Sequence, residues 1–325
     1  MKIIIYSALA IFSLACFALA QQAPESVSIR VITTFDYPGT GNSTFPQKIN
    51  DGRDIVGTYN DSNGVGRGFV RFSNGNFSAP IVDPNDTCNL TDGRAINNSR
   101  LVCGEYGVGD CSITHGFFLT HNSFSDFEVP GSMSTLVLGL NNAGDFAGEF
   151  TDTTGLNPGF VDISGIITSF SVTGAIATFA YQINSSNQTA GQYLDGSGIF
   201  HGFWREASGA LHFPVDAPGS TGTLLFGNND SNWMVGRFVN SAGTHGLFFV
   251  PPNRFFTFDY PGSTFTSLNG INAMGFICGR YNDASGVAHG FIAQVGGVPM
   301  ANEMATEMKA YDSLSLVRPV NSSPR

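Results

Sequence analysis

Charge is scarce in this chain. Only 12% of its 325 residues are Asp, Glu, Lys or Arg, about half the share of an average globular domain. Lys and Arg are the rarer sign, 15 against 25 Asp and Glu. The net charge of −10 repels phosphate and argues against a nucleic-acid partner. No segment carries a 3.6-residue apolar period, which excludes a helical bundle or coiled coil. Beyond the N-terminus no apolar run approaches the roughly 18 residues of a membrane helix, so no transmembrane segment is expected. Catalytic signatures are missing too: no Gly-x-Ser-x-Gly elbow, no His-Glu-x-x-His, no phosphate loop, no dinucleotide fingerprint. The Ser-x-Asp-x-Gly-x-x-Trp box of sialidase propellers is absent as well. No cofactor and no metal are expected.

What the chain has is 42% hydrophobic residues, 40 Gly and 29 Phe, wetted mainly by Asn, Ser and Thr. A chain this apolar can bury a large core, which excludes disorder. Its first 20 residues read as a signal peptide: Lys2, an apolar run over residues 3–17, then Ala18-Leu19-Ala20 before Gln21. Export to the periplasm or the outside is therefore expected. Ser13-Leu14-Ala15-Cys16 resembles a lipoprotein box, with Ser where Leu is usual, and lipid anchoring through Cys16 is the secondary expectation.

The dominant signal is an internal repeat. Asn50, Asn97, Asn141, Asn184, Asn229 and Asn272 are each followed seven residues later by Gly: Gly57, Gly104, Gly148, Gly191, Gly236 and Gly279. Two residues beyond each Gly stands an aromatic (Tyr59, Tyr106, Phe150, Tyr193, Phe238, Tyr281). Further on, a second Gly opens an apolar run, as in Gly116-Phe117 and Gly290-Phe291. β-Branched and aromatic runs separated by Asn-Gly, Asp-Gly and Pro-Gly turns read as short antiparallel strands, four to a copy. Four strands every ~40–45 residues is the spacing of a propeller blade. The chain is thus expected to be all-β: a six-bladed β-propeller of four-stranded antiparallel blades over residues 21–297, with residues 298–325 a flexible tail.

Gly270-Ile271-Asn272-Ala273-Met274-Gly275, Gly279-Arg280-Tyr281 and His289-Gly290-Phe291 together resemble the HAF-type extracellular repeats, with Gly where the His-Ala-Phe motif has Ala. The resemblance spans about residues 29–297 and implies a secreted bacterial repeat protein, with no established activity to carry over. The register also resembles WD-type blades. On that register residues 32–37 form an outer strand that pairs with residues 290–294, closing the ring and removing its exposed edges.

Copy 2 is irregular. From Pro84 to Asn97 is 13 residues, against 11 from Pro130 to Asn141, Pro218 to Asn229 and Pro261 to Asn272, and from Gly104 to Gly116 is 12, against 11 or 10. Both lengthened loops carry a cysteine and emerge on one face, so a Cys88–Cys111 disulfide is expected. Cys103 and Cys278 share a repeat position with Val and Ala, and read as buried free thiols.

The residue after each repeat Gly varies in charge: Thr58, Glu105, Glu149, Gln192, Arg237, Arg280. Of these, Glu105, Glu149, Gln192, Arg237 and Arg280 are the candidate binding residues. Either they form a polar site at the ring axis, with the two carboxylates facing the two arginines, or they are ion pairs at the surface or between blades. His115, His201, His245 and His289 precede the Gly-Phe or Gly-Leu step, and read as braces for turns or blade contacts. Trp204, Trp233 and the Tyr residues read as core before they read as sugar platforms. The expected function is a monomeric, non-enzymatic binding module for a carbohydrate polymer or a protein, on the face bearing Cys88 and Cys111. The alternative is a glycan-active hydrolase or lyase at the ring axis.

Overall fold

A computed structural model describes residues 27–39, 43–61 and 63–296. The expected signal peptide, Cys16 and the expected tail over 298–325 lie outside the described residues. All regular structure among the described residues is β-strand, in six antiparallel sheets. No described helix is long and apolar enough to cross a membrane.

Each sheet is a blade whose first strand is innermost. Blade 2 runs outward through Thr91–Ile96, Val102–Val108, Ile113–Thr120 and Ser123–Phe127. Blades 3, 4 and 5 repeat this order from inner strands Ser134–Leu140, Ala175–Ile183 and Gly222–Asn228. Blade 6 takes Thr266–Ile271, Phe276–Asn282 and Ala288–Gly296 from the end of the repeat region, and its outer strand, Ser28–Phe35, from the start. That pairing is antiparallel, from Ser28 opposite Gly296 to Phe35 opposite Gly290, so the ring is a closed six-bladed β-propeller as expected. Neighbouring inner strands pack against one another all round, including Thr44–Ile49 of blade 1 against Thr266–Ile271 of blade 6. Blade 1 differs in its outer strand, which is reduced to two bridges, Phe77 opposite Arg71 and Ile81 opposite Gly68. Between them Ser78 Oγ accepts the Val70 N–H and Pro80 has no N–H to give, so a continuous ladder cannot form.

The repeated residues now have physical reasons. Each repeat Asn sits buried at the end of an inner strand. Its side-chain N–H donates to the main-chain carbonyl of the next repeat Asn, in the order 50, 97, 141, 184, 229, 272 and back to 50, at 3.0 to 3.3 Å. Its side-chain oxygen accepts the N–H four residues on, as Asn272 does from Phe276 at 2.9 Å. One residue type thus shapes the turn and stitches six blades into a closed circuit. A second circuit runs at the opposite end: Thr44, Thr91, Thr135, Thr178, Thr223 and Thr266, all fully buried, accept the N–H at the end of the preceding outer strand.

The repeat Gly marks a close approach. A Cβ on Gly104 would lie 1.9 Å from the Asp92 carbonyl oxygen and 2.9 Å from the Phe117 ring. Only hydrogen leaves room for the fully buried Phe of the third strand to lie across the second. Cys88 and Cys111 form the expected disulfide, with Cα atoms 5.5 Å apart, and Cys103 and Cys278 are free and buried.

Candidate functional site

Every inner strand carries a one-residue bulge three positions before its repeat Asn. The pairing register with the second strand skips one residue there: Gln47, Arg94, Leu138, Tyr181, Phe226 and Asn269. A bulge breaks the two-residue alternation and re-aims a side chain. Five of the six, all but Leu138, line a cavity of 620 Å³ at the end of the ring where the inner strands begin. At the other end, around the repeat Asn circuit, only 60 Å³ remains. Lys48 of blade 1 places its ammonium 5.8 Å from the ring centre of Tyr181, in blade 4 on the opposite side of the ring. The axis is therefore filled at that level, and the wide mouth is a cup with a floor.

Arg237 and Arg280 form one wall of the cup. Neither guanidinium has an ion-pair or hydrogen-bond partner among the described residues. They pack instead over aromatic faces: Arg237 over Phe226 and Phe265 at 5.2 and 5.5 Å, Arg280 over Phe45 and Phe265 at 5.0 and 4.7 Å. Burial, and then the charge of Arg237, bring Arg280 down to about 10. Burial likewise lowers Arg237, while Tyr181 pulls it back. On the facing side Asp92 is already engaged. It takes the Thr58 hydroxyl at 2.9 Å and the Arg94 guanidinium at 3.0 Å. Burial lowers Lys48 to about 8, helped by the charge of Arg94.

The ring of variable residues after the repeat Gly is thus split. Thr58, Arg237 and Arg280 line the cup, whereas Glu105, Glu149 and Gln192 do not and are almost fully buried. Glu105 is bound by Arg94 of its own blade, whose Nε and Nη2 both reach one carboxylate oxygen. Burial lifts Glu105 to about 7 against the pull of Arg94. Glu149 has no side-chain hydrogen bond among the described residues, and burial, with the charge of Glu105, lifts it to about 7. The two carboxylates are neighbours, as are the two arginines. They do not form the facing quartet contemplated from sequence, because Arg94 intervenes as the partner of Glu105.

The rim of the cup carries Cys88, Cys111, Asn89 and Leu90, so the disulfide and the cavity share a face. The histidines are braces. Each of His201, His245 and His289 directs Nδ1, at 2.9 Å, to a carboxylate just past the end of an outer strand, from Asp216, Asp259 and Asp36, and His115 does so to Glu128. Each also packs on the repeat aromatic of the second strand. No group of three or more metal-ligating side chains is assembled among the described residues. Trp204 is buried and stacked on His212, and Trp233 packs edge-on to Phe248. Gln47, Arg94, Tyr181, Phe226 and Asn269 are the site residues that reading the repeat missed. Their signal was variability at one fixed offset from the repeat Asn.

No family model matches the chain, and no curated protein does. Solved structures do. An Aleuria aurantia lectin in complex with Fucalpha1-6GlcNAc is similar over 80% of this chain and 98% of its own, at 10% identity and a TM-score of 0.51. A TolB from Agrobacterium tumefaciens is similar over 84% and 99%, at 10% identity and a TM-score of 0.55. At such identity the likeness is one of fold.

Proposed function

We propose that this protein is a secreted, non-enzymatic binding module of the HAF-type repeat build, taking a carbohydrate polymer or a protein at the wide mouth of its ring. The observation that carries the reading is the blind 620 Å³ cup, lined by cationic and amide side chains. Cavities of roughly 300–1,000 Å³ with a few polar groups are the usual form of ligand sites. A disulfide on the rim supports an oxidising, exported setting. The burial of Glu105 and Glu149 behind the wall favours binding over glycoside cleavage, which needs two carboxyl groups flanking the bond. A glycan array run beside a reducing-end release assay tests this. Saturable binding without release is expected. Turnover that Glu105→Gln or Glu149→Gln abolishes would replace the module with a hydrolase or lyase.

A further inference from the structure

We infer that the cup takes an anionic sugar, a saccharide unit bearing a carboxylate, with Arg237 and Arg280 gripping the charged group; this rests on the binding-module reading above. The two guanidiniums stand on adjacent blades, both pack over the Phe265 ring, and both face the cavity, with the charge of Arg237 lowering Arg280. Arginine is always charged, so this wall holds two like charges, partly removed from water, that no described carboxylate neutralises. A planar carboxylate entering between them meets donor forks that match its geometry and relieves their mutual repulsion. The aromatic faces of Phe45, Phe226 and Phe265 hold the guanidinium planes without consuming their N–H donors.

The remaining lining selects a sugar over other anions. The side-chain amides of Gln47, Asn60 and Asn89 line the cup with no hydrogen-bond partner among the described residues. Each offers both donor and acceptor, which is what ring hydroxyls require. Both oxygens of Asp92 are already engaged, one by Arg94 and one by Thr58, which weakens its repulsion of the ligand. The floor at Tyr181 and Lys48 stops a chain from threading through the ring, so the end of a saccharide enters the cup. The net charge of −10 disfavours a long polyanion at a distance, and leaves the mouth as a local positive site on an acidic protein.

Calorimetric titration of the full protein with digalacturonate, with a glucuronate disaccharide, and with their carboxyl-reduced neutral counterparts tests this. Expected is binding of at least one acidic disaccharide at least tenfold tighter than its neutral form. Arg237→Gln and Arg280→Gln should each weaken it at least tenfold with the melting temperature unchanged. Should either variant fail to fold, salt provides the same test on the wild type. Raising NaCl from about 0.05 to 0.5 M should weaken the acidic ligand and spare the neutral one. Equal affinity for acidic and neutral forms, no binding of either uronate, full affinity in both variants, or equal binding of hexaglutamate would each overturn the anionic-sugar assignment. A glycan array positive only for neutral sugars overturns this assignment and leaves the binding module standing. An array and a protein pull-down that both stay blank overturn the module as well.

Discussion

Asn272 offers the sharpest test of what closes the ring, because its bonds join the last blade to the first. Its side-chain N–H donates to the Asn50 carbonyl at 3.0 Å, and its oxygen accepts from the N–H of Met274 at 3.1 Å and of Phe276 at 2.9 Å. Asn272→Ala removes all three and strands the buried Phe276 N–H and the half-buried Met274 N–H. At about 1–3 kcal/mol for each unsatisfied group, the expected cost is about 2–6 kcal/mol. Asn272→Asp is the more informative change. It keeps both turn acceptors and loses only the donor, while setting a carboxylate oxygen against the Asn50 carbonyl. The Asn50 carbonyl retains a second partner, the Arg53 N–H at 3.0 Å, so the cost lies chiefly in repulsion and in burying the charge. We expect about 2–4 kcal/mol at pH 7, shrinking to about 1 kcal/mol at pH 4, where the protonated acid can again donate. Urea unfolding at the two pH values measures this, with an unchanged slope showing that the exposed surface is the same. An aspartate variant as stable as the wild type at pH 7, or one whose deficit does not depend on pH, would refute the circuit.

Glu149 makes a pH-dependent prediction. Its folded value of about 7 lies above the ordinary 4.5, so the folded state holds the proton longer than the unfolded one. Stability from this group is present at low pH and is lost as pH rises from about 4.5 through about 7. Glu149→Gln should match the wild type near pH 4 and exceed it by about 3 kcal/mol at pH 8, and parallel stability curves would refute this. Gly104→Ala should cost more than about 4 kcal/mol or prevent folding, since its Cβ has 1.9 Å to a main-chain oxygen that cannot move. A soluble variant of near-native melting temperature would show the approach to be looser. Non-reducing peptide mapping should recover Cys88 joined to Cys111. Iodoacetamide should spare Cys103 and Cys278 until unfolding, because burial pushes both thiols up to about 12. Free thiols at 88 and 111 would sink the assignment.

The ring was legible from residue order because its demands are local and recur in every blade. A turn needs the same Asn each time, the crossing side chain (Phe in five blades, Leu247 in the other) needs the same Gly, and four of the six outer strands end at Pro-Gly. Closure by the N-terminal strand followed from the resemblance of the register to WD-type blades, which leaves residues 32–37 as an unmatched outer strand. The disulfide followed from two loops lengthened in the same copy. The six Thr that pin successive blades were equally periodic and could have been read in the same way. The cup could not. An alternating strand assigns faces by counting in twos, and one bulge in each inner strand shifts that count at the residues that reach the axis. Arg94 then lies beside Glu105, Lys48 meets Tyr181 from across the ring, and Arg237 and Arg280 are left without counter-ions among the described residues. Residue order carries no trace of such meetings between blades. They depend on where six separate sheets converge, and only the closed ring brings those side chains within reach of one another.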